Sequence, residues 1–332
     1  MTEHLEGHQW PEYTSLGTLR TEDPLADFRN FLWLAWEHLR LPDPTPVQYD
    51  MAEYLQYGPR RGVIEAFRGA GKSWVTSAFV MWCLYQDPQL NILVVSASKV
   101  RADDFSTFTR RLMGELDCLR HLVPNGSQRD SKIAFDVSPA RASHQPSVKS
   151  VGITGQLAGS RADLIIADDI EVPNNSLTDM MRQKLAESVK EFDAIIKPGG
   201  RVMFLGTPQT EQSLYNKLLQ RGYEMRVWPA LFPSEELKAG YGNNLAPMIT
   251  RLQTPFNEGE PTDPVRFSVM DLAERAQSYG KSGFAMQFML STKLSDADRF
   301  PLKISDLQVI DRMSHVDGFE RLVWASGPLQ VI

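Results

Sequence analysis

The chain has 332 residues, 42% apolar and 23% charged, proportions of an ordinary globular protein rather than of a disordered one. Its 35 Lys and Arg against 41 Asp and Glu leave a net charge of -6, which excludes a uniformly basic nucleic-acid coat but not a local basic stripe. Cys83 and Cys118 are the only cysteines, so neither a disulfide framework nor a cysteine zinc site is available. No run approaches about 18 apolar residues and the N-terminal MTEHLEGHQW lacks a signal core, which predicts a soluble, intracellular protein.

Residues 1–20 show no periodicity and read as a loose arm. His4 and His8 have a metal spacing on a helix, but Gly7 lies between them and no further ligand is near. Asp23-Pro24 predicts a helix start, with Leu25, Phe28, Leu32, Ala35 and Leu39 on its apolar face. Thr45-Pro46 opens a second helix that buries Val47, Met51 and Tyr54 or Leu55. From about Arg61, short apolar runs alternate with amphipathic stretches. GVIEAF (62–67), NILVVSA (91–97), LIIA (164–167) and RVMFL (201–205) read as buried strands. Helices are expected on Val75, Phe79 and Trp82, on Phe105, Phe108, Leu112, Leu116 and Leu119, and on Leu177, Met181, Leu185, Val189, Phe192 and Ile196. This alternation predicts an α/β fold with a mainly parallel sheet flanked by helices. Residues 131–154 read as an extra hairpin. Residues 233–265 lack a clear period, and helices are expected near 269–279 and 284–290. Length alone suggests about two domains. The texture divides the chain into an arm and helix at 1–45, a core at 46–230 and a small lid or linker subdomain at 231–332.

The strongest local signal is Ala66-Phe67-Arg68-Gly69-Ala70-Gly71-Lys72-Ser73, a phosphate-binding loop with Ala66 in place of its first glycine. Small residues let backbone N–H groups wrap a triphosphate. Lys72 reaches the β- and γ-phosphates, and the Ser73 hydroxyl binds Mg²⁺. Asp168 and Asp169 end the strand LIIA, on the edge of a parallel sheet that also carries the phosphate loop. Asp168 is expected in the Mg²⁺ shell. Asp169 is the first candidate to orient or deprotonate the attacking water, and Glu171, with its longer reach, is the second. Thr207, after RVMFL, fits either a plain strand-to-helix turn or a γ-phosphate sensor. Gln48 fits a capping box with Thr45, or an amide that reads an adenine edge. Arg68 or Arg161 could supply the positive charge a transferring phosphoryl group calls for.

Together, Gln48, the Arg68-bearing loop, Ser160-Arg161-Ala162-Asp163 before LIIADD, and Gly206-Thr207-Pro208-Gln209 resemble the large terminase subunit of tailed bacteriophages, of the DNA maturase B type found in podoviruses. Trp228-Pro229-Ala230-Leu231, PTDPVRF (261–267) and GFAMQFML (283–290) agree with it. The resemblance spans roughly residues 20–305 and lies in the order and spacing of these motifs. It implies the ATPase half of the family: a P-loop NTPase of the additional-strand type, using ATP and Mg²⁺ to drive double-stranded DNA into a procapsid. It implies a homo-oligomeric ring, a portal protein and a small terminase subunit as partners, no membrane, and a place in the host cytoplasm docked on the procapsid. It further implies that Gln48 recognises adenine, that Arg68 is the phosphate-loop arginine, with Gly69, Ala70, Gly71, Lys72 and Ser73 around the phosphates, and that Thr207 lies in the coupling motif. Asp169 stands where most relatives carry Glu. The family's nuclease domain has no counterpart pattern here, so no nuclease activity is expected. Asp296, Asp298, Asp306 and Asp311 read as solvated surface. Two rival readings are a superfamily-2-like helicase, which shares these motifs, and a weakly hydrolysing, nucleotide-gated assembly module.

Overall fold

The computed structural model describes residues 23–210 and 212–292, with the backbone of two short strands beyond them. His4, His8 and the acids at 296, 298, 306 and 311 lie outside the described residues. Asp23-Pro24 opens only a 3₁₀ turn (Pro24–Ala26), because Asp27 caps the Arg29 amide and restarts the chain as α1 (Phe28–His38). The buried face of α1 is therefore Phe28, Phe31, Leu32, Ala35 and Trp36, while Leu25 and Leu39 only border the core. α2 (Pro46–Tyr57) begins at Thr45-Pro46 as predicted and buries Val47, Met51, Tyr54 and Leu55.

β1 (Arg61–Ala66), α3 (Lys72–Gln86), β2 (Ile92–Ser96) and α4 (Lys99–Glu115) follow the predicted alternation. Leu119 reaches the core from a separate 3₁₀ turn (Asp117–Leu122). The 131–154 segment holds β3 (Ala134–Phe135) and β4 (Val148–Gly152). They pair antiparallel as expected of a hairpin, but β4 also runs parallel to β2 as a full sheet member. After β5 (Ala162–Asp168) and the short α5 (Pro173–Ser176), the single helix expected over 177–196 is two pieces: α6 (Asp179–Ser188) and α7 (Glu191–Ile195). Thr178 caps the Met181 amide and starts a new helix, so Leu177 and Met181 stay exposed and only Leu185, Val189 and Phe192 reach the core.

β6 (Ile196–Gly206) and α8 (Leu214–Leu219) lead to β7 (Glu224–Trp228), an edge strand absent from the sequence reading. The region read as loop contains two short helices, α9 (Glu235–Tyr241) and α10 (Pro247–Leu252). The two expected later helices are both present within α11 (Val269–Gln287), which breaks between them at Gly280, whose φ of 68 and ψ of 172 are not helical. β8 (Ser314–Val316) and β9 (Phe319–Arg321) form a separate antiparallel pair.

The main sheet has the order β3-β4-β2-β5-β6-β1-β7 and is parallel apart from β3. β6 lies between the strand of the phosphate loop and the strand of the acid pair, which is the additional-strand arrangement of a P-loop NTPase. The C-terminal ends of β1, β5 and β6 therefore open onto one edge, each delivering its loop to the same place. The buried apolar residues, from Phe28 to Leu290, form one continuous cluster, so the segments before and after the sheet pack onto it. Among the described residues no helix is long and apolar enough to cross a membrane.

Candidate active site

β1 ends in the phosphate loop. Ala66 is still extended and paired with Trp228, so the first loop position has no need of a left-handed φ and accepts a Cβ. Gly69 and Gly71 do turn with φ of 97 and 90, and a Cβ on Gly69 would stand 2.6 Å from the Phe267 ring. α3 then starts at Lys72 with its positive end toward the loop.

Lys72 is buried. Its Nζ donates to the Ala66 carbonyl at 2.9 Å and to Thr207 Oγ1 at 3.0 Å, and Thr207 in turn donates to the Ala66 carbonyl at 3.1 Å. Burial pulls the Lys72 pKa down, opposed by the carboxylates of Asp169 and Asp168. The Ser73 hydroxyl donates to Asp168 at 3.0 Å. Burial first, and then the neighbouring Asp169, push the Asp168 carboxyl upward. The two candidate Mg²⁺ ligands are thus adjacent hard oxygens, joined by a hydrogen bond.

Asp169 and Glu171 differ sharply. Asp169 takes a φ of 45, donates its amide to the Leu205 carbonyl at 2.8 Å and turns a partly exposed carboxylate to the cavity. Glu171 is buried, and its carboxylate accepts from the Gln209 amide at 3.0 Å, Ser213 Oγ at 3.1 Å and the Leu214 amide at 2.5 Å. Burial raises its pKa, against those three donors.

Gln48 forms the foreseen capping box, and the other end of its amide meets the phosphate loop. Its Oε1 accepts the Thr45 amide at 3.2 Å in the capping box, and its Nε2 donates to the Ala70 carbonyl of the phosphate loop at 3.2 Å. Arg68 is held by Gln287, which accepts its Nε at 2.9 Å and its Nη2 at 2.7 Å. Arg68, Gly69, Lys72, Asp169, Glu171 and Thr207 all line one cavity of about 670 Å³.

Arg161 is not brought to this cavity. It precedes β5 at the N-terminal end, while Asp168 ends the same strand, a separation of about 20 Å at strand rise. Its guanidinium donates to the Ser160 carbonyl. Three residues that sequence reasoning missed do reach the site. Arg101, in the first turn of α4, lines the cavity 3.7 Å from Asp169. Arg266 donates to the Gly69 carbonyl at 2.9 Å, and Gln287 holds Arg68. Only Arg101 had a usable signal, since it follows β2 on the edge where ligands bind.

No protein-family model matches the chain. Among characterised proteins, the terminase large subunit of Enterobacteria phage T3 is 53% identical over 292 residues, covering 85% of this chain and 49% of that protein. The chain thus spans about half the length of that relative. Among solved structures, the large terminase of bacteriophage HK97 superposes with a TM-score of 0.48 at 12% identity, over 80% of this chain and 54% of that one. A mutant ATPase domain of the Thermus phage P74-26 large terminase gives 0.44 at 14% identity, over 76% of this chain and 96% of that one.

Proposed function

The chain is related over most of its length to a phage terminase large subunit, and from that premise we propose that it is the ATP-hydrolysing motor part of a viral DNA-packaging terminase. Residues 46–230 form the ATPase core, 1–45 the arm and helix, and 231–332 a lid and linker. The observation that carries this reading is the convergence of Lys72, Thr207 and Asp169 on one cavity at the C-terminal edge of the sheet, with the Ser73–Asp168 pair lining a second pocket that shares Arg101 with it.

ATP is the substrate. The Gln48 amide reads the adenine edge, and the phosphate-loop amides with Lys72 hold the β- and γ-phosphates. Ser73 and Asp168 hold Mg²⁺, which when bound neutralises phosphate charge. Asp169 orients the attacking water and accepts its proton as the water oxygen bonds to the γ-phosphorus and the bond to the β-phosphate oxygen breaks, leaving ADP. Asp169 is preferred over Glu171 because all the hydrogen-bonding of the Glu171 carboxylate is directed to its own protein. Arg68 stabilises the γ-phosphoryl charge, and Thr207, bonded to Lys72, passes the state of the phosphates into the loop after β6. Double-stranded DNA is the cargo, moved into a procapsid by a homo-oligomeric ring docked on the portal in the host cytoplasm, with a small terminase subunit as partner. Nuclease activity is no part of this proposal.

Lys72→Ala tests it. The variant is expected to match the wild-type circular dichroism and melting temperature while phosphate release from ATP disappears. Near-normal turnover in a folded Lys72→Ala chain would sink the reading.

A further inference from the structure

Gln287 closes α11 and is buried between two loops of the site. Its backbone carbonyl accepts the Arg68 amide at 3.0 Å. Its Oε1 accepts Nε and Nη2 of Arg68 at 2.9 and 2.7 Å, and its Nε2 donates to the Pro208 carbonyl at 3.0 Å. A primary amide is the side chain that can do this, because it offers an acceptor to the guanidinium and a donor to the carbonyl at once. A carboxylate would face the Pro208 carbonyl with a second acceptor. Two donors from one edge of the guanidinium meet a single oxygen, which fixes the plane of the group and leaves its Nη1 end directed away from Gln287. Arg68 lines the same cavity as Lys72 and Asp169.

We infer that Gln287 is a positioning residue for Arg68: it presents the Nη1 end of the guanidinium to the phosphoryl group and ties that orientation to the Thr207-Pro208 loop and the end of α11. This rests on the reading of the cavity as an ATP site. A loose arginine would still add positive charge, but it would have to be oriented afresh in each turnover.

The test is a double-mutant cycle read by single-turnover phosphate release, with binding of a fluorescent ATP analogue measured alongside. Gln287→Met keeps volume and removes both hydrogen-bonding ends. It is expected to bind the analogue within about threefold of wild type and to release phosphate about tenfold more slowly. Arg68→Ala should be at least as slow, and Arg68→Ala/Gln287→Met no slower than Arg68→Ala, because Gln287 acts only through that arginine. Gln287→Asn, one methylene too short to span both loops, is the second variant if methionine is not accommodated, and the same pattern is expected. Normal turnover in either folded variant overturns the inference, as does a double variant whose loss is the product of the single losses. A wild-type chain that fails to bind the analogue would instead remove the ATP-site reading, whereas wild-type binding and turnover beside a normal Gln287→Met removes the role of Gln287 alone.

Discussion

Glu65 sits within β1, 3% exposed, directly behind the phosphate loop, and its Oε1 finds no hydrogen-bond partner among the described residues. Burial first, and then the nearby Glu171, push its carboxyl from an ordinary 4.5 up to about 8, with Lys72 opposing. A group that holds its proton more tightly when folded contributes stability that is complete below its unfolded pKa and is lost as pH rises through the folded one. For Glu65 that window runs from 4.5 to about 8, and the loss across it is on the order of a few kcal/mol. Glu65→Gln cannot ionise, so its stability should change less over the same window, and it should be the more stable protein at its upper end. Urea midpoints of the two proteins at about pH 5 and pH 8 check this. Parallel trends would mean that Glu65 ionises no differently folded than unfolded.

The end of β5 shows how one short element divides two acids between different jobs. Asp169 leaves the strand in a left-handed turn and faces the cavity, whereas Glu171 turns inward and accepts the Gln209 amide in the loop after β6 and the Leu214 amide at the start of α8. Asp169→Asn should therefore keep nucleotide affinity and lose about 10² in hydrolysis. Glu171→Gln sets an amide nitrogen against those donors, and a drop in stability of about 1–3 kcal/mol is expected, with hydrolysis reduced only modestly. Melting temperatures measured beside phosphate release decide the matter, and an unchanged melting temperature with a hundredfold loss in Glu171→Gln would move the base to Glu171. The same contrast explains what was legible before the structure. Strands such as LIIA and VMFL are buried on both faces and read as unbroken apolar runs, and the residues at their ends, Asp168 and Thr207, follow from where such strands stop. β7 escaped because Glu224 and Arg226 alternate with its apolar residues at a sheet edge. The helix over 177–196 was misread because a spacing of four ignores caps, and Thr178 caps a new helix inside the pattern. Gln287 and Arg266 lie in stretches that agree with the family, but nothing local gave either a role, since each is defined by a contact with a loop some 200 positions away in the chain.

At the scale of the whole molecule, the cavity holds Lys72, Arg68 and Arg101, but Arg101 stands against Asp169, which leaves Lys72 and Arg68 to meet the phosphoryl charge. A transferring phosphoryl group spreads charge over three oxygens, and an arginine from a neighbouring subunit adds about 10³–10⁵ in rate in related enzymes. The isolated chain is therefore expected to hydrolyse ATP slowly and to speed up as its concentration rises. Arg161 is the first candidate donor. The fold sharpens its test, because an arginine at the far end of β5, about 20 Å from Asp168, cannot serve its own site, though it lies on a surface that a neighbour could meet. Arg129, the second candidate, is already engaged with Asp136 and the Ser143 carbonyl. Lys72→Ala chains lack a working phosphate loop but keep Arg161, and Arg161→Ala chains have the reverse defect. Mixed at high concentration, they should recover part of the wild-type rate, because an interface between the two pairs an intact loop with an intact arginine. A wild-type rate per chain that does not change with concentration, together with a mixture no faster than its separate components, would leave Arg161 with no role across subunits.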